Sequence, residues 1–222
     1  MKNILCALGF LLMVAGASAQ TKNNKLGITT GFGMQQYKGD LGNGFTQYGK
    51  NTVRFGVASY NVNYYMNNSF DLGFQTTIGD FGFCQTPEKA HEMVDVDERC
   101  GGCLGRVGMG NLNSRMYTAG ILVKYKIANG YMIKEDAKVQ PYVYFGYSVS
   151  LITDRMKKSC VVPGTYTAVT GGFGVRYNFC DRLYIGYNLL MGYFTSDELD
   201  FMTHDANDMY MQNSVVLGIN LF

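Results

Sequence analysis

Hydrophobic and polar residues alternate with a period of two along residues 138–154. Successive side chains of a β-strand point to opposite faces, so this stretch predicts a strand with one apolar and one small or polar face. It exceeds the usual strand length of about five or six residues, whereas a strand tilted across a bilayer needs about nine to eleven. We therefore predict a membrane-spanning strand. Its apolar positions are Val139, Pro141, Val143, Phe145, Tyr147, Val149 and Leu151.

The same alternation recurs in seven other segments of the chain. Its phase shifts by one residue within the second segment, between Val57 and Tyr60, which predicts a β-bulge near Ser59. The connections are alternately long and short, as in bacterial outer-membrane barrels with an even strand number. The sequence therefore predicts an all-β fold, an eight-stranded antiparallel up-and-down transmembrane β-barrel. The other predicted strands are 25–41, 52–66, 70–84, 115–127, 165–179, 183–195 and 209–222.

An export signal precedes these strands. Lys2 supplies a short positive start, residues 4–14 are mostly apolar, and Ala17 to Ala19 form a small-residue cleavage site. This apolar run is shorter than the about twenty residues of a membrane-spanning helix. We expect cleavage after Ala19, so that residues 1–19 are a signal peptide and residues 20–222 are the outer-membrane β-barrel.

A soluble barrel or sandwich would show the same alternation with its apolar face turned inward. That arrangement would expose Lys124, Arg176 and many glycines to solvent. The export signal, the strand lengths, the alternating loops and the terminal Phe222 favour the membrane instead. Outward aromatic residues near the short turns then predict a periplasmic girdle. They are Tyr64, Phe70, Tyr125, Tyr177 and Phe179.

Composition narrows the possible partners. The chain of 222 residues has 28 Gly, 17 Tyr and 14 Phe but only 3 Pro, which suits strands that leave room on one face. The formal net charge of +2 argues against a nucleic-acid partner. Beyond the export signal, no run of about twenty apolar residues predicts a membrane helix.

Five charged residues fall on predicted inward faces: Arg54, Asp71, Lys124, Lys126 and Arg176. Unpaired charge in a narrow interior is costly, so these groups should pair or stay hydrated. The interior of an eight-stranded barrel is just wide enough for side chains to fill. We favour an interior network of salt bridges, and a narrow ion path is the alternative.

The cysteines divide between the two ends of the predicted barrel. Cys84, Cys100, Cys103 and Cys160 fall in or beside outside loops, whereas Cys180 falls at the opposite end. Exported chains can hold disulfides, so the first four are candidate disulfide cysteines with open pairing, and Cys180 is expected to be a free thiol. Cys100 and Cys103 have the C-x-x-C spacing of zinc or redox sites. No second such motif and only two His accompany them, so we predict no metal site.

The loops offer little for catalysis. Acidic residues crowd segments 88–98 and 197–208 without the EF-hand pattern, so we favour a solvated surface over weak binding of a divalent cation. His91 and His204 lie in different loops. Ser196, which is near His204 in the sequence, is the one weak candidate for a partner of His204 in a catalytic pair. We predict no enzymatic activity and no cofactor.

Three stretches carry a resemblance to a known family: MQQYKGDLGNGF, NNSFDLGFQTTIGDFGF and LVKYKIANGYMIKEDAKVQPYVYFGYS. They resemble the N-terminal barrel of OmpA-type proteins of Bacteroidetes-like Gram-negative bacteria, from about Leu26 to the end of the chain. The most specific parts are Y-x-G-D-L, starting at Tyr37, and NGYMIKEDA, starting at Asn129. The resemblance implies an eight-stranded outer-membrane barrel. Many members continue into a peptidoglycan-binding domain, but this sequence stops at Phe222, so wall anchoring is not carried over.

These observations predict a monomeric barrel in outer-membrane lipid, with a structural role in the envelope and loops presented outside. One alternative is an accessory subunit of a larger outer-membrane complex for secretion or transport. The other is a narrow pore.

Overall fold

The computed structural model describes residues 25–39, 42–43, 56–84, 111–154, 162–180, 182–196, 199 and 208–221. Among these residues there are eight long strands and one strand of two residues. The strands are β1 (Leu26–Gly39), β2 (Gly42–Asn43), β3 (Gly56–Tyr65), β4 (Phe70–Cys84), β5 (Asn111–Lys126), β6 (Val139–Asp154), β7 (Gly164–Asn178), β8 (Leu183–Phe194) and β9 (Met209–Asn220).

The eight long strands close into a barrel. Each pairs antiparallel with the next long strand along the chain, and β9 pairs with β1, while β2 only folds back on the end of β1. Paired residues followed once around the ring lead from Ile28 to Lys38, a stagger of ten residues. For eight strands at normal sheet spacing, this stagger corresponds to a strand tilt of roughly 40°. The predicted up-and-down barrel is confirmed.

The strand bounds lie close to the predicted ones. β4 begins and ends as predicted, at Phe70 and Cys84. β5 begins at Asn111 rather than Arg115, and β9 ends at Asn220. Each long strand therefore has the ten or more residues with which a tilted strand crosses a bilayer, and β5 extends farther at its long-loop end than the apolar pattern indicates.

The predicted bulge near Ser59 is wrong. β3 pairs with β1 and β4 without a break, with Gly31 and Thr77 opposite Ser59. Its faces alternate continuously, so Val57, which was expected to point outward, points into the barrel with 5% of its surface exposed. Val57 packs beside Gly79, where an added Cβ would lie 2.7 Å from the Val57 Cβ. The predicted change of phase rested on Val53, Phe55 and Val57, of which Val57 lies on the inner face and the other two lie outside the described residues.

The apolar side chains point outward and the small or polar side chains point inward. Phe32 and Phe145 are both 65% exposed on the outer face, whereas Ser59, Ser150 and Thr170 are buried inside. A water-soluble sheet has the opposite arrangement, since it turns its apolar face to the core. This surface is therefore suited to contact with lipid.

Four tyrosines inside the barrel lie over glycines of the neighbouring strand. In each case the tyrosine and the glycine are direct cross-strand partners. An added Cβ on any of these glycines would come within 2.9 Å of the tyrosine ring. The glycines thus provide the space that the rings fill, which accounts for part of the high content of both residues. The pairs are Tyr142–Gly174, Tyr144–Gly172, Tyr184–Gly218 and Tyr210–Gly192.

The change Gly192→Ala tests this packing. The new methyl group would lie 2.0 Å from the ring of the buried Tyr210, so the ring must move. We expect the free energy of unfolding to fall by about 1–3 kcal/mol, as in other overpacked cores. Urea titration of the refolded protein, followed by circular dichroism, measures it.

Gly171→Ala is the matched control. Gly171 lies in the neighbouring strand β7, and the nearest atom to its added Cβ is an ordinary 3.6 Å away. We expect a change within about 0.5 kcal/mol. Equal losses for the two alanines would show that the tyrosine contact is not the cause.

Candidate functional site

The interior of the barrel, its lumen, has two layers of different chemistry. The end with short turns holds Asp71, Lys124, Lys126 and Arg176, which we call the charged layer. The end with long loops holds a cluster of buried apolar and aromatic side chains, which we call the aromatic layer. We restrict this name to seven members of the cluster: Tyr37, Met116, Ile152, Tyr166, Phe194, Leu199 and Tyr210.

Asp71 and Lys126 form the ion pair of the charged layer. Asp71 lies near the start of β4 and Lys126 ends β5, so the short turns bring both to the same end of the barrel. Lys126 Nζ donates to Asp71 Oδ1 over 2.6 Å, and the side chains are 9% and 0% exposed. Lys126 Nζ also lies 4.1 Å from the centre of the Tyr65 ring. In this water-poor position, each charge depends on the other for compensation.

Lys124 and Arg176 have neutral partners instead. Lys124 Nζ donates to Asn63 Oδ1 over 3.0 Å and lies 4.7 Å from the centre of the Tyr142 ring. Arg176 Nε donates to Gln140 Oε1 over 2.6 Å, and its guanidinium carbon lies 5.3 Å from the centre of another tyrosine ring. Hydrogen bonds and cation–π contacts orient these cations without neutralising them.

Further hydrogen bonds tie the charged layer to other strands. The hydroxyl groups of Thr29 and Tyr184 are 2.5 Å apart, which links β1 to β8. Asn63 Nδ2 donates to Thr29 Oγ1 over 3.4 Å. The Tyr142 hydroxyl donates to Asn188 Oδ1 across the barrel. Most polar groups here are thus held in fixed positions.

The side chains of the aromatic layer pack against each other and fill the lumen at the long-loop end. The Tyr37 hydroxyl donates to Asp208 Oδ1 over 2.5 Å, so two segments are joined at the long-loop end. The ring centres of Phe194 and Tyr210 are 5.3 Å apart, and those of Tyr166 and Phe194 are 6.0 Å apart. These spacings are normal for packed aromatic rings, so the layer closes the lumen with side chains of its own strands.

The structure brings together four of the five predicted interior charges. Asp71, Lys124, Lys126 and Arg176 all lie in the charged layer, while Arg54 lies outside the described residues. The sequence analysis did not single out the neutral partners of these charges. These neutral partners occupy inward-facing positions of their strands, and that pattern is the signal by which the sequence could have identified them. These missed residues are Asn63, Gln140, Tyr142 and Tyr184.

The other predicted positions are largely outside the described part of the chain. Ala19, Cys100, Cys103, Cys160, His91 and His204 lie outside it, and Cys84 ends β4 with a side chain that is not described. Cys180 is exposed near the turn between β7 and β8 and has no disulfide among the residues described here.

The described residues contain neither a metal-binding cluster nor a membrane-spanning helix. No group of three or more His, Cys, Asp or Glu that could hold a metal ion lies among them. Within the described ranges, no helix is long and apolar enough to cross a membrane.

The family of this barrel follows from its sequence match. The model of the outer membrane protein beta-barrel domain matches residues 5–220. This chain belongs to that family. The protein is therefore an outer-membrane β-barrel, and its exposed apolar face lies in the lipid bilayer. No curated protein sequence matches the chain.

Solved structures of other outer-membrane proteins are similar to this barrel. Neisserial surface protein A is 10% identical with a TM-score of 0.54, over 88% of this chain and 97% of that protein. OprG of Pseudomonas aeruginosa is 12% identical with a TM-score of 0.49, over 91% and 97% of the two chains. The N-terminal barrel of Pseudomonas aeruginosa OprF is 12% identical with a TM-score of 0.48, over 88% and 98%. At 10% identity, the first likeness shows the fold alone.

Membership of this family also orients the two ends. Outer-membrane barrels have short periplasmic turns and longer outside loops, so the charged layer lies at the periplasmic end. The predicted aromatic residues lie at the same end on the outer face. The ring centres of Phe70 and Tyr125 are 5.3 Å apart, as are those of Tyr177 and Phe179. These pairs lie where a girdle meets the lipid headgroups.

Proposed function

We propose that this outer-membrane barrel has a structural role in the envelope, as a closed, non-conducting and non-enzymatic barrel that presents its long loops outside. The observation that carries the proposal is the filled lumen. Tyr37, Phe194 and Leu199 have no exposed surface, and Tyr210 has 1%. Side chains of the barrel itself thus block the path along its axis.

The cavities in the lumen are small. One lies beside Lys124 and has about 20 Å³ of space for the centres of water-sized molecules, and another beside Tyr210 has about 10 Å³. About 10–15 Å³ measured in this way holds one water. The first volume accommodates one or two waters and the second about one, which is less than a hydrated ion occupies.

The closed ring supports a monomeric barrel. Each of the eight long strands has a paired strand on both sides, and the pairing of β1 with β9 completes the ring. A closed barrel leaves no free strand edge for a second copy to join. The resemblance to the barrel of OmpA-type proteins supports the same structural role.

Planar lipid bilayers test the absence of conduction. We expect the wild-type protein to insert without steady single-channel current. A double variant, Phe194→Ala with Tyr210→Ala, removes two contacting rings of the aromatic layer and is expected to raise the conductance. The matched control, Phe173→Ala with Tyr193→Ala, removes two rings from the outer face and should leave the current unchanged. A steady wild-type current that is insensitive to the first variant would contradict the proposal and favour a pore.

A further inference from the structure

The charged layer has an excess of positive charge. Of its four charged groups, only Asp71 is negative, and Lys126 occupies one of its oxygens at 2.6 Å. Asp208 also faces the lumen, but it lies at the long-loop end, where Tyr37 donates to it. Among the residues that the structure describes, Lys124 and Arg176 therefore have no carboxylate within ion-pair distance.

These two cations are poorly placed for solvation by bulk water. Arg176 is only 6% exposed, and Lys124 is half-buried on the inner face, where it donates to Asn63. Each cation contacts one amide oxygen and one tyrosine ring, and all of these partners are neutral. A buried cation without a counter-charge is costly, and two in one narrow space also repel each other.

A cavity lies between the two cations. Lys124 and Arg176 both line it, together with Asn61, Asn63, Asn188 and Tyr184, among others. No Asp or Glu is among the described residues of its wall. Ammonium, guanidinium, amide and hydroxyl groups all carry N–H or O–H donors. The cavity thus combines positive charge with hydrogen-bond donors, which is the chemistry of an anion site.

We propose that this cavity binds a small inorganic anion of the size of chloride, held between Lys124 and Arg176. Its volume of about 20 Å³ for water-sized centres suits one monatomic anion. One bound anion halves the excess charge of the layer. The proposal goes beyond the structural role, because a non-conducting barrel needs no bound ion.

Bromide locates the site directly. Crystals of the full barrel are grown in sodium bromide, and X-ray diffraction data are collected at the bromine absorption edge. We expect an anomalous peak in the cavity, in contact with Lys124 and Arg176, and we expect the same peak to be missing in Lys124→Gln. A wild-type cavity that contains ordered water and no bromide would overturn the proposal. A peak that persists unchanged in Lys124→Gln would mean an adventitious ion only, and would overturn it as well.

Thermal unfolding in detergent tests binding in solution. Sodium chloride replaces sodium gluconate at constant ionic strength, so that screening of surface charges stays constant. We expect chloride to raise the melting temperature of the wild type. At a chloride concentration 100 times the dissociation constant, the ratio of folded to unfolded protein rises about 100-fold. A wild-type melting temperature that does not respond to chloride would overturn the proposal.

Two variants test whether the chloride response arises from the cavity or from elsewhere in the protein. Lys124→Gln should lose the response to chloride, whereas Lys134→Gln removes the same charge from the exposed periplasmic turn and should keep it. An equal chloride response in wild type and Lys124→Gln would place the anion elsewhere and contradict the proposal. If Lys124→Gln fails to fold, the bromide measurement on the wild type still decides.

Discussion

Replacing Asp71 by asparagine is expected to lower the free energy of unfolding by about 3–5 kcal/mol, the usual cost of removing one partner of a buried ion pair. Asp71 has no exposed surface and binds Lys126 at 2.6 Å. Without it, the described part of the charged layer holds three cationic side chains and no carboxylate. Circular dichroism during urea titration is the suitable measurement, because the chain has no tryptophan for fluorescence.

Two controls make the Asp71→Asn result interpretable. Combining it with Lys126→Met removes the orphaned cation, so the double variant should lose less stability than the two single losses added together. Asp136→Asn makes the same charge change in the exposed periplasmic turn and should stay within about 0.5 kcal/mol. A loss below about 1 kcal/mol for Asp71→Asn would show that water, rather than the pairing with Lys126, compensates these charges.

The proposed anion and Asp71 have the same electrostatic role. Both supply negative charge to the same group of cations, so the loss of Asp71 should make the protein more dependent on chloride. The melting temperature of Asp71→Asn is therefore expected to rise more steeply with chloride than that of the wild type. A chloride response that is the same in Asp71→Asn and in the wild type would show that the ion pair and the anion site are independent.

The fold was readable from the sequence because one physical pattern repeats in every long strand. A period of two assigns each residue to lipid or lumen, and that assignment holds, for example, from Leu26 to Gln35 in β1. The register between neighbouring strands could be predicted from the sequence only in part. Short turns fix some pairs, such as Tyr65 opposite Asp71, but long loops leave the offset free until the ring closes with its stagger of ten residues, from Ile28 to Lys38.

Val57 shows where the periodicity rule fails. The rule assumes that an apolar residue faces lipid, yet Val57 faces the lumen because Gly79 opposite it leaves a gap for a small apolar side chain. Space inside the barrel depends on which residues face each other across strands. That information is in the register, which the alternation within one strand does not contain.

The pairing within the charged layer was also hidden from the sequence. Lys124, not Lys126, is the direct cross-strand partner of Asp71. The ion pair nevertheless forms with Lys126, on the diagonal, while Lys124 turns to Asn63. Long lysine side chains reach diagonal neighbours, so cross-strand position alone does not select the partner. The sequence thus predicted which charges face the lumen but not which of them stay without a counter-charge.

An arginine on the outer face should cost stability in proportion to its depth in the bilayer. Ile121 is 60% exposed there, and its cross-strand partners Phe74 and Tyr147 are apolar or aromatic. It lies four residues from Tyr125 of the girdle, which at the strand tilt is about 10 Å, close to the middle of an apolar band about 25 Å tall. We expect Ile121→Arg to lower the free energy of unfolding by about 2–4 kcal/mol when it is measured in phospholipid vesicles.

Val139→Arg is the matched control at the edge of the bilayer. Val139 is also exposed and begins β6 beside the periplasmic turn, where arginine costs only about 0–1 kcal/mol. Lipid around the barrel predicts this dependence on depth, because water and headgroups become accessible to the side chain toward the edge. A protein partner covering the outer face would give a cost that depends on local contacts instead. A large loss at Val139 with a small one at Ile121 would therefore contradict lipid contact at this face.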